Sequence, residues 1–384
     1  MRLPLTDHAL LPSHQAAPAA PKTPIINLVL LLASSLAALL VMEIGYRVMT
    51  GLHVFKWINW RVEQVTRDRF ATSIRAIDPV LGWTTLPWTS SDNFASIDHG
   101  IRRNFEETTV RTGAVLAVGD SFTEGWEVGN NESWPAALEH MTGVPVVNAG
   151  VSGYGTDQIV LRAEGLLPIV KPKILIIGFM QDDIFRTGYS IYGAPKPYFT
   201  IENGELRYHP PGPLESGGQA GLMSWIGHTV RDGLSYSAAA DHVLGRLNPD
   251  YWYGTASENL ERRADGDEVA VTCALLKRLK MRTDAQSIHA ILFMQYSAQF
   301  ILASRTPTRE ALDVERCARE IGMSVVDQFA RLRSIADRNR IAMKQYYLYY
   351  NRNYEHMSAK GNRHAAELLA ATLQDSLKLL SRAQ

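Results

Sequence analysis

Residues Ala114–Gly125 read AVLAVGDSFTEG, a short apolar run that ends in Gly-Asp-Ser and a polar turn. The run predicts a buried strand, and in an open parallel sheet reacting groups collect just beyond the carboxyl ends of such strands. A serine held there can expose its hydroxyl while the strand keeps it rigid, so Ser121 is the candidate nucleophile. The alternative is that Asp120 and Ser121 only cap the next helix, because both residue types are preferred at helix N-caps.

Strands and helices are predicted to alternate after this stretch. Ile174–Phe179 is the most apolar run outside the N-terminal segment, and such a run without polar alternation is typical of a strand buried on both faces of a parallel sheet. We therefore predict an α/β fold built on a parallel sheet. The predicted strands are 114–118, 144–147, 174–179, 288–294 and 324–326, and the predicted helices are 133–141, 156–167, 265–280, 309–321, 328–339 and 358–380.

Composition excludes several classes of protein. The chain has 384 residues, of which 46% are hydrophobic, so disorder throughout is excluded. Its 39 basic and 39 acidic residues give no net charge, and no global field favours nucleic acid as a partner. Because the sequence has no HExxH, Walker or CxxC motif, we predict neither a metal nor a cofactor.

Cys273 and Cys317 are the only two cysteines. They are too few for a disulfide scaffold and lack the paired spacing of a structural zinc site. Both fall in predicted helices that flank the predicted strand 288–294. A single bridge requires an oxidising compartment, and two buried free thiols are the interpretation that the sequence favours.

The N-terminal segment predicts a membrane anchor. Residues 1–23 are rich in Pro and Ala and predict a disordered tail. Residues 24–43 predict a transmembrane signal anchor, because Ile25–Met42 is uncharged and, at about eighteen residues, is just long enough to cross a bilayer. A cleaved signal peptide and a buried core helix are the alternatives. Basic residues lie on both sides of the span, so the positive-inside rule leaves its orientation open.

Two further segments interrupt the regular pattern. Residues 44–112 predict a juxtamembrane lead-in, in which Asp78–Pro87 is extended and turn-rich rather than a regular element. Residues 113–384 form the predicted catalytic domain, and residues 186–258, rich in Pro, Gly and aromatic residues, predict an insertion that roofs its site. The aromatic residues could line a groove for a sugar or an acyl chain. The favoured interpretation is that they pack into a small satellite core.

Serine attack on an ester needs a hydroxyl, a base for its proton and donors aimed at the oxyanion. Besides Ser121, the candidates are the glycine-rich loop at Gly153, the turn Gln181–Asp183 after the third predicted strand, and His356 in a polar loop before the last helix. Turns at one edge of a parallel sheet converge in space although they are distant in sequence, so we expect these groups to meet.

With these blocks in this order, the chain resembles the SGNH (GDSL) hydrolase family. The first block is Gly119–Gly125 (GDSFTEG), the second Asn148–Gly155 (NAGVSGYG), the third Gly178–Ile184, and the last surrounds His356. The resemblance covers Thr112 to the C-terminus apart from the insertion, and the segment DPVLGW and the preceding span resemble membrane-anchored bacterial members.

The resemblance implies a three-layer α/β/α sandwich of flavodoxin-like type and hydrolysis or transfer of acyl esters. It assigns Ser121 as nucleophile and His356 as base. The backbone amides of Ser121 and Gly153 take two oxyanion positions, and the third-block oxyanion residue falls on Asp182.

Two positions depart from the family pattern. Asp182 stands where the family commonly has Asn, and an ionised carboxylate would repel an oxyanion, so Gln181 is the substitute amide donor. Asn353 stands where the family has Asp, three residues before the histidine. Asn353 can orient His356 but cannot stabilise its imidazolium as a carboxylate does, and Glu355 is the substitute acid.

Three hypotheses follow. The first is a membrane-anchored serine esterase, or O-acyltransferase on a cell-envelope polysaccharide, that acts on a small ester or acylated carbohydrate from the extracytoplasmic side. The second is a catalytically inactive, membrane-tethered binding protein, suggested by Asp182 and Asn353. The third is a lipid esterase whose insertion is an interfacial lid. The sequence predicts no oligomeric state.

Overall fold

The computed structural model describes residues 23–50, 54–55, 74–91, 93–212, 230–231, 233–247, 252, 260–262, 267–350 and 353–374. Its helices are α1 (Thr23–Thr50), α2 (Ser121–Glu124), α3 (Trp134–Thr142), α4 (Thr156–Val170), α5 (Gln181–Arg186), α6 (Ala238–Leu247), α7 (Glu268–Asp284), α8 (Ala298–Ala303), α9 (Arg309–Glu320), α10 (Phe329–Arg338), α11 (Arg340–Lys344) and α12 (Ala359–Thr372). Its strands are β1 (Arg75–Asp78), β2 (Gly82–Thr85), β3 (Val115–Val118), β4 (Val146–Asn148), β5 (Ile174–Met180), β6 (Tyr189–Tyr192), β7 (Tyr198–Glu202), β8 (Glu205–His209), β9 (Leu260–Arg262), β10 (His289–Gln295), β11 (Ser324–Asp327), β12 (Tyr347–Tyr350) and β13 (Asn353–Met357).

The predicted parallel sheet is confirmed. Its five strands lie in the order β11-β10-β5-β3-β4, and every neighbouring pair is parallel. All seven residues of β5 are buried, as its continuous apolar sequence predicts. The predicted strand boundaries differ from the observed ones by at most two residues at either end.

Helices cover both faces of the sheet, which completes the predicted three-layer fold. The chain leaves β3 towards β4 in one direction and then returns across β3 to β5, β10 and β11 in the other. Because parallel crossovers are right-handed, this reversal puts α3 on one face and α4, α7 and α9 on the other. Helix α12 packs on α3, and α7 packs on both α4 and α9. The carboxyl end of β3 is therefore the switch point of the sheet, where ligands of such folds bind.

The lead-in contains a regular hairpin where the sequence predicts an irregular segment. Strands β1 and β2 pair in antiparallel register from Arg75↔Thr85 to Asp78↔Gly82. An Asp78 carboxylate oxygen accepts from the backbone N–H groups of Val80 and Leu81 at 2.8 and 2.7 Å, and Gly82 adopts φ +81°. The prediction was wrong because an aspartate turn and a left-handed glycine close this hairpin locally.

Cys273 on α7 and Cys317 on α9 form a disulfide, so the favoured interpretation of two free thiols was wrong. The two helices pack side by side on one face of the sheet. Helical pattern in the sequence assigns both cysteines to helices but does not say which helices are neighbours. That adjacency follows only from the strand order.

The N-terminal helix is longer than the predicted span. Residues Ile26–Thr50 form one helical segment long and apolar enough to cross a membrane, with a mean hydropathy of 2.3 and little of it buried by the rest of the chain. Near its end the Glu43 carboxylate accepts from Arg47 and from the backbone N–H of Ala238, at the start of α6. The helix can therefore continue past the predicted span, because Glu43 and Arg47 pair with each other and Glu43 also binds the start of α6.

The range predicted as an insertion contains short elements. Strands β7 and β8 form an antiparallel hairpin, β6 pairs with β9, and α6 packs on α1. Much of the range between 213 and 259 lies outside the described residues, as does the predicted tail up to residue 22. The last helix, α12, is described to Thr372, and the predicted extension to residue 380 ends outside the described chain.

Candidate active site

Ser121 lies where the sequence predicts it, directly beyond the carboxyl end of β3. It is the first residue of α2, and an Asp120 carboxylate oxygen accepts from the Phe122 N–H at 2.9 Å as the N-cap of that helix. The capping alternative therefore holds for Asp120. Ser121 does not contribute this cap, and its 7% exposed side chain makes a different contact.

That contact is with His356, 235 positions further along the chain. The Nε2 atom of His356 lies 3.0 Å from Ser121 Oγ, within the range of a hydrogen bond between a nucleophile and its base. The His356 ring also packs on Phe122, with ring centroids 5.5 Å apart. His356 belongs to strand β13, which pairs with β12, so the predicted polar loop is instead one arm of a hairpin.

The other ring nitrogen of His356 faces a residue that the sequence did not single out. Glu127 Oε2 lies 3.4 Å from His356 Nδ1, in the loop after α2. Glu127 has a left-handed backbone, with φ +74°. No local motif marks this position, because the spacing of residues along the chain does not report a turn that folds back towards a distant strand.

The two predicted acid positions lie in the same strand as the base. Asn353 and Glu355 belong to β13, as does His356. Their side chains are outside the described part of the structure. Their roles towards His356 therefore stay predictions.

The predicted oxyanion donors lie at neighbouring strand ends. Gly153, with φ +81°, is in the turn after β4, next to Ser152, whose N–H and hydroxyl both donate to Glu124. Among the described residues, no hydrogen bond uses the backbone N–H of Ser121 or of Gly153. Neither N–H group therefore has a protein acceptor in this part of the structure.

Gln181 and Asp182 begin α5, after the carboxyl end of β5. Gln181 Oε1 is buried without a hydrogen-bond partner, whereas Asp182 is exposed. Partial desolvation, together with the Asp120 charge, raises the pKa of Asp182, and Arg186 lowers it.

A buried ion cluster holds the nucleophile turn against the third block. Arg186 Nη1 donates to Asp120 at 2.9 Å, to Asp183 at 2.8 Å and to the Tyr154 carbonyl at 3.2 Å. Burial and the nearby Asp120 carboxylate raise the pKa of Asp183, although Arg186 opposes this. No sequence motif marks Arg186, which connects the three turns beyond β3, β4 and β5.

A second buried network ties the lead-in hairpin to the nucleophile helix. Arg75 on β1 donates from two nitrogens to the fully buried Glu124 carboxylate, at 2.8 and 2.7 Å. Burial would raise the pKa of Glu124, but the Arg75 charge and hydrogen bonds lower it overall. The lead-in is therefore part of the scaffold of the site.

Residues 117–190 match the model of the GDSL-like lipase/acylhydrolase family. This segment is similar to a domain of that family, and it covers less than half of the chain. The matched segment of this GDSL-like protein contains Ser121, Gly153 and Asp182. His356 and the strands β10 and β11 lie outside it. The family match supports an enzyme that acts on ester bonds.

Several solved structures are similar to this GDSL-like protein. A catalytic mutant of Axe2, an acetylxylan esterase from Geobacillus stearothermophilus, is 14% identical over 69% of this chain and 95% of its own, with a TM-score of 0.39. The acetyl xylan esterase AlAXEase is 10% identical over 68% and 99%, with a TM-score of 0.39. The psychrotrophic esterase EstA from Pseudoalteromonas sp. is 11% identical over 69% and 99%, with a TM-score of 0.35. No curated protein matches the chain.

Proposed function

We propose that the protein is a serine ester hydrolase in which Ser121 is the nucleophile and His356 the general base. The observation that carries the proposal is the 3.0 Å contact between Ser121 Oγ and His356 Nε2 at the switch point of the sheet. The unused N–H groups of Ser121 and Gly153 support an oxyanion hole beside that contact. The family match supports the ester as the bond attacked.

The reaction is a double displacement. Ser121 Oγ attacks the ester carbonyl as His356 Nε2 takes its proton, and the two backbone N–H groups donate to the oxyanion that forms. His356 then gives the proton to the departing alcohol, which leaves an acyl-serine. Water, activated by the same imidazole, attacks the acyl group and regenerates the serine. If a sugar hydroxyl replaces water, the same site transfers the acyl group.

The substrate in this proposal is a small ester, such as an O-acetylated carbohydrate. Asp182, at the start of α5 beyond the carboxyl end of β5, is an exposed polar residue. The 7% exposure of Ser121 limits access to a small acyl group. An O-acetylated glycan and free acetate as product are therefore the first substrate and product to test.

An acetyl-ester reporter and a fluorophosphonate probe test the proposal together. The wild-type protein should hydrolyse the reporter and label at Ser121, and Ser121→Ala should lose both, with turnover falling about 10⁴-fold or more. Ser324→Ala is a matched control, because Ser324 also pairs with a histidine, His289 Nε2 at 2.8 Å, at the opposite end of the sheet. A protein that neither turns over the reporter nor labels would be a binding protein, and the proposal would fail.

We also propose that α1 anchors the protein and that residues 113–384, with the lead-in 44–112, lie on the extracytoplasmic side of the membrane. The Cys273–Cys317 disulfide supports that side, because disulfides persist in oxidising compartments. A reporter fused to the C-terminus and active only after export tests the orientation. Mass spectrometry of unreduced protein from cells tests the bridge, and two free thiols there would argue against export.

A further inference from the structure

We propose that Glu127 positions His356 and stabilises its protonated form, in place of the acid that precedes the histidine in related enzymes. The inference rests on the proposed function of Ser121 and His356. It places the acidic partner of His356 in the loop that follows α2, six positions after Ser121 in the sequence.

The imidazole of His356 lies between Ser121, at the start of α2, and Glu127, in the loop that follows α2. Its Nε2 is 3.0 Å from Ser121 Oγ, and its Nδ1 is 3.4 Å from Glu127 Oε2. The Nδ1 atom is buried and has no hydrogen-bond partner among the described residues. A charge-assisted hydrogen bond is about 0.5 Å shorter than this separation. The proposal requires the Glu127 side chain, which is 24% exposed, to move closer by that amount.

The backbone of Glu127 is a second, independent observation. Its φ of +74° lies in the left-handed region, which residues with a Cβ adopt uncommonly. Such outliers cluster at active sites. Arg102 imposes this one, since its guanidinium donates to the carbonyls of Gly125 and Val128, on either side of Glu127.

A carboxylate at Nδ1 does two things for the base. It selects the tautomer with a proton on Nδ1, which leaves Nε2 free to accept the serine proton, and it stabilises the imidazolium that results. Glu127 keeps its negative charge throughout, and the proton that His356 takes from Ser121 passes to the departing alcohol. An amide such as that of Asn353 can supply only the orientation.

Three charged groups on neighbouring elements have other partners. Asp120, beside the nucleophile, is paired with Arg186, and Glu124 on α2 is paired with Arg75. On the helix after β13, Lys360 donates to Gln345. Helix α8, which packs against β13, contributes no charged residue. In the described part of the chain, Glu127 is thus the carboxylate within ion-pair distance of His356 Nδ1.

Replacing Glu127 by Gln tests the role of its charge. Glu127→Gln should lower kcat for an acetyl-ester reporter about 100-fold with little change in KM, and move the acidic limb of the pH–rate profile to lower pH, because the imidazolium loses its counter-charge. Glu132→Gln is the matched control, since it removes a nearby carboxylate that accepts from the Gly129 N–H. It should stay within about twofold of the wild type. Equal kcat and pH profiles for the two variants would overturn the inference.

Glu127→Gly separates catalysis from folding. Glycine suits the left-handed backbone, so this variant should unfold at an equal or higher temperature while losing as much activity as Glu127→Gln. If Glu127 were merely structural, Glu127→Gly would keep its activity.

The ¹⁵N shifts of the His356 ring give a readout that does not need turnover. In Glu127→Gln the titration midpoint should fall and the Nδ1–H tautomer should lose population relative to the wild type. An unchanged titration would overturn the inference even if the reporter were not a substrate. Loss of turnover in the wild type itself would instead count against the proposed function.

Discussion

The Arg186 guanidinium lies 2.9 Å from the Asp120 carboxylate, which caps the helix that Ser121 begins. The same nitrogen is 2.8 Å from Asp183, so one cation balances two almost fully buried carboxylates. Burial by itself would lower the pKa of Arg186, but Tyr192, Asp120 and Asp183 raise it well above its usual value. Arg186 therefore stays charged and fixes the turn on which the nucleophile sits.

Arg186→Gln should destabilise the protein by about 3–5 kcal/mol, because it leaves two buried carboxylates without a cation. Adding Asp183→Asn should recover part of the loss, since the two sites share one network. Urea unfolding in detergent measures both effects. Arg207→Gln breaks an exposed pair with Glu202 and should cost less than about 1 kcal/mol. Equal midpoints for Arg186→Gln and Arg207→Gln would show that the buried cluster is not a stabilising feature.

Asp182→Asn should raise the turnover of the proposed ester hydrolase. The exposed carboxylate repels a developing oxyanion, whereas an amide can donate to it, and a donor of this kind is worth about 10- to 100-fold or more in kcat. Steady-state kinetics on an acetyl-ester reporter measures the change. Asp284→Asn removes an exposed carboxylate paired with Lys280 and should leave kcat unchanged. A fall in kcat for Asp182→Asn would mean that the carboxylate itself takes part in the reaction.

Gly150→Ala should disrupt the nucleophile turn. A Cβ at Gly150 would lie 2.2 Å from the backbone nitrogen of Glu124 and 2.7 Å from the carbonyl carbon of Thr123, and backbone atoms cannot move aside as a flexible side chain can. We expect a loss of about 1–3 kcal/mol of stability together with reduced activity. Gly165→Ala on α4 meets no atom within 4 Å and should be neutral or stabilising by up to about 1 kcal/mol. Thermal unfolding of the two variants, compared with the wild type, checks the difference.

The stability of the protein should depend on Asp327 between about pH 4 and pH 6. Burial, aided by the Glu315 charge, raises the pKa of Asp327 to about 6, against about 3.9 in the unfolded chain. The folded state therefore holds this proton more tightly, and stability falls as the pH rises through that window. Asp327→Asn should abolish this loss and stabilise the protein at pH 8 by about 1–3 kcal/mol. Urea midpoints at pH 4 and pH 8 measure it, and parallel curves for the two proteins would contradict the assignment.

Local pattern predicted the sheet and two members of the site. The apolar run before Ser121 places this residue beyond the carboxyl end of a parallel strand. His356 reaches Ser121 from the antiparallel hairpin of β12 and β13, which is a separate sheet. The lead-in was predicted to be irregular because of its composition. The hairpin of β1 and β2 forms nevertheless, because the Asp78 turn and the left-handed Gly82 close it locally. His356 was assigned to a loop because the aromatic and polar run around it lacks the alternation of a typical strand.

The amino-acid sequence by itself determined the five parallel strands, their helices, the N-terminal apolar helix and the positions of Ser121 and His356, because each of these rests on hydrophobic periodicity or on a short motif. Only the tertiary structure decided that Cys273 meets Cys317, that Arg75 neutralises Glu124, and that Glu127 faces the imidazole. These contacts depend on the strand order and on a left-handed turn. Neither feature produces a hydrophobic periodicity or a motif in the sequence, so these contacts can be identified only from the folded structure.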